Sequence, residues 1–226
     1  MLRTASLVLA VYMLPLPGQQ SESARPAGRH VSLILEQALG SEWRQVDPHT
    51  VFKADDQIRF RFRANFGGYL YVLNETGTGE HLWLFPTPET GLTNQIEAGR
   101  EYVVPATSGS FLIPPNAGYD IVYWIVSPLS FPELPAPPRN RQFPQHTYSP
   151  LLPRCRESSL QARGLCLDGE AGAAPVADPS RLPPALAPRT LQPRALDVHE
   201  DGGQSRISVA GPPAGPFLCQ FRIAHR

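Results

Sequence analysis

The chain has 226 residues, of which 42% are hydrophobic, so it is long enough for one large domain with a substantial core. Its formal net charge is zero and its pI is near 7, which argues against a polyanionic partner such as nucleic acid. Proline is the unusual residue, since nine of the 26 prolines lie in residues 1–127 and seventeen in residues 128–226. Because proline lacks a backbone donor and has a fixed φ, the second part of the chain should contain few central strands.

Residues 1–23 have the composition of a secretory signal peptide. Arg3 supplies a positive charge, and the apolar stretch Ala5–Leu14 that follows is too short to span a bilayer. Ser21 and Ser23 are the small residues that a signal peptidase requires for cleavage after Ser23. We therefore expect a periplasmic or extracellular mature chain without a transmembrane segment.

Residues 29–127 repeatedly show short apolar runs separated by turn residues. The first run, VSLILEQ from Val31, fits either a strand or one helical turn and ends before Gly40. Seven or eight such runs within about a hundred residues predict a mainly β domain, an antiparallel β-sandwich or a barrel-like fold.

Residues 57–64 alternate strictly between apolar and charged side chains, which predicts a half-buried strand. The charged face of this strand consists of Arg59, Arg61 and Arg63. These arginines are candidate ligands for anions, including anionic glycans and phosphates. The interpretation we prefer is a solvated strand face with acidic partners on the neighbouring strands.

The stretch FGGYLYVLNETGTGEHLWLFP, residues 66–86, predicts a β-hairpin with a glycine-rich turn at residues 76–79. Its glycines lie between two strands rather than before a helix, so they do not form a phosphate cradle. Both faces of the two runs are apolar, which predicts a hairpin at the centre of a sheet. Tyr69, Tyr71 and Trp83 are candidate binding residues that stack on sugar rings, although their positions inside strands favour core packing.

Residues 128–203 are proline-rich and have no hydrophobic period, which predicts a linker or a largely irregular region. Within it, CRESSLQARGLC suggests a short helix near residues 156–164. Residues 204–226 are expected to return to the sandwich as strands. In FLCQFRIAH, residues 217–225, the apolar face comprises Phe217, Cys219, Phe221 and Ile223.

The three cysteines agree with an oxidising compartment. Cys155 and Cys166 are separated by ten residues and are the candidates for a disulfide that closes a small loop. Cys219 would then remain as a small buried residue in a strand, although its pairing with either of the other two cysteines is also open.

Patterns for catalysis or metal binding are not evident. Asp55 and Asp56 precede a strand, where a turn is a better interpretation than a cation site. The six histidines show no ligand spacing, and neither a nucleophile elbow nor a P-loop is present. We expect no metal, no cofactor and no enzymatic activity.

Several spaced elements between residues 50 and 127 resemble the bacterial domain of unknown function family 4384. They are Phe52, Asp55–Asp56, Arg59–Phe60, Gly68–Tyr71, Leu84–Pro86, Asn94, Ala98–Gly99 and Val104–Pro105. The resemblance implies an exported bacterial protein, since similar domains occur as accessory parts beside kinase or caspase-like peptidase modules. This chain has no recognisable kinase or peptidase module, so their activities do not carry over.

The domain organisation that follows has four parts: a signal peptide at 1–23, a sandwich at 29–127, an irregular region at 128–203 and returning strands at 204–226. We predict a secreted or periplasmic non-catalytic interaction domain of the cell envelope, with a protein or a surface polymer as its partner. The alternative is a carbohydrate-binding module that uses the hairpin aromatics, and a small hydrolase is the less favoured third class.

Overall fold

The computed structural model of the protein describes residues 28–77, 79–87, 93–105, 109–131, 152–153, 155, 166–176, 196–209 and 215–226. The predicted signal peptide and the predicted helix near 156–164 lie outside the described residues, as does most of the proline-rich region. The described residues form strands and no helix, and so none of them form a helix long and apolar enough to cross a membrane.

The strands are organised in two sheets, which we call sheet 1 and sheet 2. Sheet 1 contains β1 (Arg29–Leu39), β2 (Glu42–Gln45), β4 (Gln57–Ala64), β8 (Glu101–Val104), β9 (Phe111–Leu112), β12 (Leu196–Asp201) and β13 (Gln204–Val209). Sheet 2 contains β3 (Val51–Phe52), β5 (Gly68–Glu75), β6 (His81–Phe85), β7 (Gln95–Ile96), β10 (Gly118–Ser127), β11 (Gly172–Ala174) and β14 (Phe217–His225).

Sheet 1 has the strand order β12-β13-β1-β4-β8, with β2 beside β1 and β9 beside β4. Sheet 2 has the order β11-β14-β10-β5-β6, with β3 beside β14 and β7 beside β5. The strand pairs are antiparallel except for β3 and β14, which run parallel. The predicted mainly β fold is therefore confirmed, as a two-sheet sandwich that does not close into a barrel.

The main core lies between the sheets and is formed by the apolar faces of their alternating strands. Phe60 on β4 contacts Trp124 on β10 and Phe221 on β14, with 5.1 Å between ring centroids in each pair. Phe62 stacks on Trp124 at 5.6 Å. All four rings are fully buried, and the apolar faces predicted for β4 and β14 are confirmed.

The 66–86 hairpin forms, but its position differs from the prediction. Strand β5 lies inside sheet 2, between β10 and β6, whereas β6 is the last strand in the order of that sheet. Leu82 on β6 is consequently 53% exposed. The prediction of a central hairpin is thus wrong for its second strand. Apolar residues on both faces of a strand indicate burial above and below the sheet, but they do not indicate whether the strand has a neighbour on each side.

Glycine is required at position 68, the first residue of β5, because the backbone of β10 comes very close to it. A Cβ atom at this position would lie 2.5 Å from the carbonyl oxygen of Ser127. A side chain would therefore separate β5 from β10 at the point where they begin to pair.

The C-terminal strands complete both sheets rather than being added at their edges. Strand β13 lies between β12 and β1, and β14 lies between β11 and β10. Strands β11 and β12 fall within residues 128–203, for which an irregular structure is predicted. They form because residues 154–174 and 194–211 are free of proline, a local feature that the overall proline content conceals.

A second apolar cluster covers the outer face of sheet 2. Tyr71, Leu73, Tyr123 and Ile125 on that face pack together with Val176 and Phe131, which come from outside the sheet. Close to it, Cys166 packs on Val51 and Ala224, and a disulfide joins Cys166 to Cys155 with 4.9 Å between their Cα atoms. Cys219 is a free thiol buried in the main core. Sheet 2 is therefore covered on both faces, whereas the outer face of sheet 1 carries mainly polar and charged side chains.

Replacement of Phe60 by alanine tests the inter-sheet core. We expect Phe60→Ala to lower the free energy of unfolding by about 3–5 kcal/mol, because it leaves a cavity beside Trp124 and Phe221. Urea unfolding followed by tryptophan fluorescence measures this loss. Phe111→Ala is the matched control, since Phe111 is half-buried and contacts Phe60 from β9 at 6.4 Å. Equal losses in the two variants would contradict a core centred on Phe60.

The disulfide gives a second prediction for the fold. Cys155→Ser combined with Cys166→Ser should lower the free energy of unfolding by about 2–3 kcal/mol, since the bridge closes a short loop in the unfolded chain. Mass spectrometry of the unreduced, digested protein should show one linked peptide that contains both cysteines. Free thiols at both positions, or a linked peptide containing Cys219, would contradict the assignment.

Candidate functional site

The arginine row lies on the outer face of sheet 1, and two of its members are paired with acidic side chains. Arg59 Nε donates to Glu36 Oε2 at 2.6 Å, and Arg61 Nε lies 3.0 Å from Glu36 Oε1. Arg61 also pairs with Glu101 at 3.5 Å. Acidic partners on neighbouring strands are thus present for these two arginines. Since Glu36 is only 6% exposed, its negative charge is held in place between two guanidinium groups.

The guanidinium group of Arg59 also stacks on an aromatic ring. Its Cζ atom lies 4.3 Å from the centroid of Trp43 on β2, a cation–π distance. The two side chains reach each other across β1, where the small Ala38 pairs with Trp43. The sequence offers no signal for this contact, because the two residues meet only through a third strand.

Arg63 differs from the other two arginines of the row. It is exposed, and no hydrogen bond or ion pair involves it in the part of the chain that the structure describes. Across β1 from it, Arg206 on β13 is also exposed and equally without a polar partner among the described residues. Both residues are in register with Ser32 on β1. The result is a row of three residues in register, with Ser32 between two arginines that no described residue pairs with.

The three hairpin aromatics belong to the cluster on the outer face of sheet 2. Tyr71 is 1% exposed, contacts Trp83 at 6.4 Å and Phe131 at 5.6 Å, and its hydroxyl oxygen accepts a hydrogen bond from the Phe131 amide at 2.7 Å. Tyr69 and Trp83 are half-buried beside it. Tyr71 is therefore not a surface residue available for stacking on sugars, and the core interpretation describes its environment.

A buried polar group accompanies these aromatics at the end of the hairpin. The Tyr123 hydroxyl donates to Glu75 Oε2 at 2.7 Å, and His81 Nε2 lies 3.6 Å from the same oxygen. Glu75 is 2% exposed and faces His81 directly across β5 and β6. The carboxylate is thus satisfied inside an otherwise apolar cluster, as burial of a charge requires.

A second polar network links the segment around residues 166–174 to the sandwich. Asp168, which is 2% exposed, accepts from the Tyr119 hydroxyl at 2.7 Å and from the Glu170 amide at 2.8 Å. Its own amide donates to the carbonyl oxygen of His49 at 2.9 Å. Burial, together with the hydrogen bond to Asp168, raises the pKa of Tyr119, so this hydroxyl remains protonated.

His49 joins the same network to β12. Its Nε2 lies 2.7 Å from Glu200 Oε2, and its Nδ1 lies 3.2 Å from the carbonyl oxygen of Asp168. The hydrogen bond with Glu200 raises the pKa of His49 to about 8, against burial, which lowers it. Asp47 also contributes to the increase. The protonated ring donates from both nitrogens and connects β12 in sheet 1 with the residues that precede β11 in sheet 2.

Gly172 has φ +94 and lies directly against the His49–Glu200 pair. A Cβ atom there would be 3.1 Å from Glu200 Oε1 and 3.4 Å from His49 Cε1. Glycine is therefore required both by the backbone conformation and by the space. Sequence reasoning missed this network because its members are separated by as many as 151 residues.

The Asp55–Asp56 pair forms a turn, as its position before β4 predicts. Asp56 Oδ2 accepts a hydrogen bond from the Lys53 amide at 2.8 Å, and Asp55 has φ +67. In the glycine-rich turn, the Gly77 amide donates to Asp120 Oδ1 at 2.9 Å. Among the described residues, no group of three or more His, Cys, Asp or Glu side chains has the arrangement of a metal site.

The pKa of His49 gives a prediction for stability against pH. Because this pKa is raised in the folded state, the His49–Glu200 pair increases the free energy of unfolding. This increase is fully present below pH 6.5 and is lost as the pH rises through about 8. For this partly exposed pair we expect its contribution to the free energy of unfolding to fall by about 1 kcal/mol between pH 6 and pH 9.

Urea unfolding of the wild type and of His49→Gln at pH 6, 7.5 and 9 measures this contribution. The difference between the two proteins should shrink as the pH rises, because the variant has no imidazole to deprotonate. Parallel pH profiles would contradict the assignment, as would a difference that grows with pH.

Comparison with known proteins adds one family relationship. The family model of a domain of unknown function (DUF4384) matches residues 51–129, which extend from β3 to just beyond β10. No curated protein and no solved structure matches the chain. The prediction of this family from the spaced motifs is confirmed for residues 51–129, which match the family model.

Proposed function

We propose that this protein is a secreted or periplasmic, non-catalytic binding domain of the bacterial cell envelope, and that it contacts its partner through the outer face of sheet 1. The single observation that supports this proposal is the difference between the two outer faces of the sandwich. The outer face of sheet 2 carries buried aromatic side chains covered by Phe131 and Val176. The outer face of sheet 1 carries arginines, including Arg63 and Arg206, which are exposed and have no polar partner among the described residues.

A charged sheet face is suited to recognition for two reasons. The backbone groups of β1, β4 and β13 are already paired within the sheet, so the side chains project from a rigid platform. Long-range attraction by exposed guanidinium groups increases the rate of encounter with an acidic partner. The location outside the cytoplasm is supported by the signal-peptide character of residues 1–23 and by the disulfide between Cys155 and Cys166.

Site-specific photo-crosslinking in the native host tests this function. A photoreactive phenylalanine derivative at Ser208, on the outer face of β13 next to Arg206, should capture an envelope component. The same group at the exposed Lys53, in the turn before β4, is the matched control. We expect severalfold more adduct from position 208, found in the periplasmic or extracellular fraction. Equal labelling from both positions, or adducts confined to the cytoplasm, would overturn the proposal.

A further inference from the structure

Two arginines that are distant in sequence flank one small hydroxyl residue in the register of sheet 1. Ser32 on β1 is in register with Arg63 on β4 and with Arg206 on β13. Neighbouring strands lie about 4.8 Å apart, so the Cα atoms of the two arginines are about 10 Å apart on either side of Ser32. An extended arginine side chain is long enough to reach the space above Ser32 from either position, although in this structure Arg63 Nη2 lies 3.9 Å from where a Cβ atom of Gly99 would be.

Arg63 and Arg206 are available to bind an anion, whereas Arg59 and Arg61 are already paired with carboxylates. Arg59 and Arg61 share Glu36, and Arg61 also contacts Glu101. Arg63 and Arg206 are exposed and have no hydrogen bond or ion pair among the residues that the structure covers. An incoming anion would thus not have to displace a protein carboxylate from either of them.

We propose that Ser32, Arg63 and Arg206 form a subsite for a phosphate or sulfate group carried by a polysaccharide of the cell envelope. Each guanidinium group has paired N–H donors that match the oxygens of a tetrahedral oxyanion. The serine hydroxyl between the two arginines is a further donor. This inference rests on the proposed function, because it identifies the ligand chemistry of the same sheet face.

The surroundings of the subsite favour a polysaccharide over an acidic protein segment. Glu101 is in register with Arg63, and His199 on β12 is in register with Arg206. Two further acidic residues, Asp197 and Asp201, lie on β12 on either side of His199. A run of carboxylates on a peptide would be repelled by these acids. A sugar polymer with isolated oxyanions places one anion above Ser32, and its hydroxyl groups donate to the bordering carboxylates.

Equilibrium binding of the full-length mature protein tests the subsite. The probes are dextran sulfate, a phosphorylated mannan, neutral dextran and poly-glutamate, each measured at low and at physiological salt. We expect binding to the sulfated or the phosphorylated polymer, which weakens as salt rises, and no binding to neutral dextran. Poly-glutamate should bind at least about tenfold more weakly, a difference of about 1.4 kcal/mol.

Substitutions identify the residues responsible. R63Q and R206Q should each weaken binding about tenfold, since each removes charge-assisted hydrogen bonds, and S32A should weaken it about two- to threefold. Arg44→Gln is the matched control, because Arg44 is an exposed arginine on β2 whose loss changes the net charge equally. All four positions are at the surface, so thermal unfolding should confirm that the variants remain folded.

The outcomes separate the subsite from the function on which it rests. Equal weakening by R44Q and R63Q would reduce the effect to general charge and overturn the subsite. Binding of poly-glutamate as tight as that of the charged polysaccharides would assign the face to an acidic protein and also overturn it. If crosslinking at position 208 captures an envelope partner that R63Q and R206Q leave unaffected, the subsite fails while the proposed function stands.

Discussion

The packing of the apolar face of sheet 1 against that of sheet 2 is the interaction on which the rest of the structure depends. Phe60 on β4 meets Trp124 on β10 and Phe221 on β14, so the contact joins an early, a middle and the last strand of the chain. Because side chains alternate across a strand, burial of this face directs Arg59 and Arg61 to the opposite surface. The core thus determines which residues are available for recognition.

The same constraint gives the two outer faces different characters. On β5 and β10 the residues that point away from the core are aromatic or aliphatic, and this second face cannot remain in water. Phe131, which follows β10, and Val176, which follows β11, pack on it. On β1 and β4 the outward residues are polar or charged apart from Ile34 and Ala38, so this face carries far less apolar surface than the outer face of sheet 2. One outer surface of the sandwich is therefore buried beneath apolar side chains, and the other is the surface that we propose contacts a partner.

Polar contacts between distant segments hold the C-terminal part of the chain in place. Asp168 and His49 connect the residues before β11 with Tyr119 on β10 and with Glu200 on β12. The disulfide between Cys155 and Cys166 constrains the same segment. The family model matches residues 51–129, whereas β13 and β14, which lie outside that match, occupy positions inside the two sheets. In this chain, strands outside the family match therefore form hydrogen-bonded neighbours of strands within it: β1 pairs with β4, and β14 pairs with β10.

The sequence by itself determined the features that depend on neighbouring residues. Alternation predicted the buried and exposed faces of β4 and β14, glycine placed the hairpin turn, and spaced motifs identified the family. Strand order, by contrast, was decided only in the tertiary structure. The edge position of β6, the His49–Glu200 pair and the register of Arg63 and Arg206 with Ser32 all depend on which strands become neighbours. The physical reason is that a two-residue period states which side of a strand is buried, while pairing between strands is set by contacts over long sequence separations that no local pattern encodes.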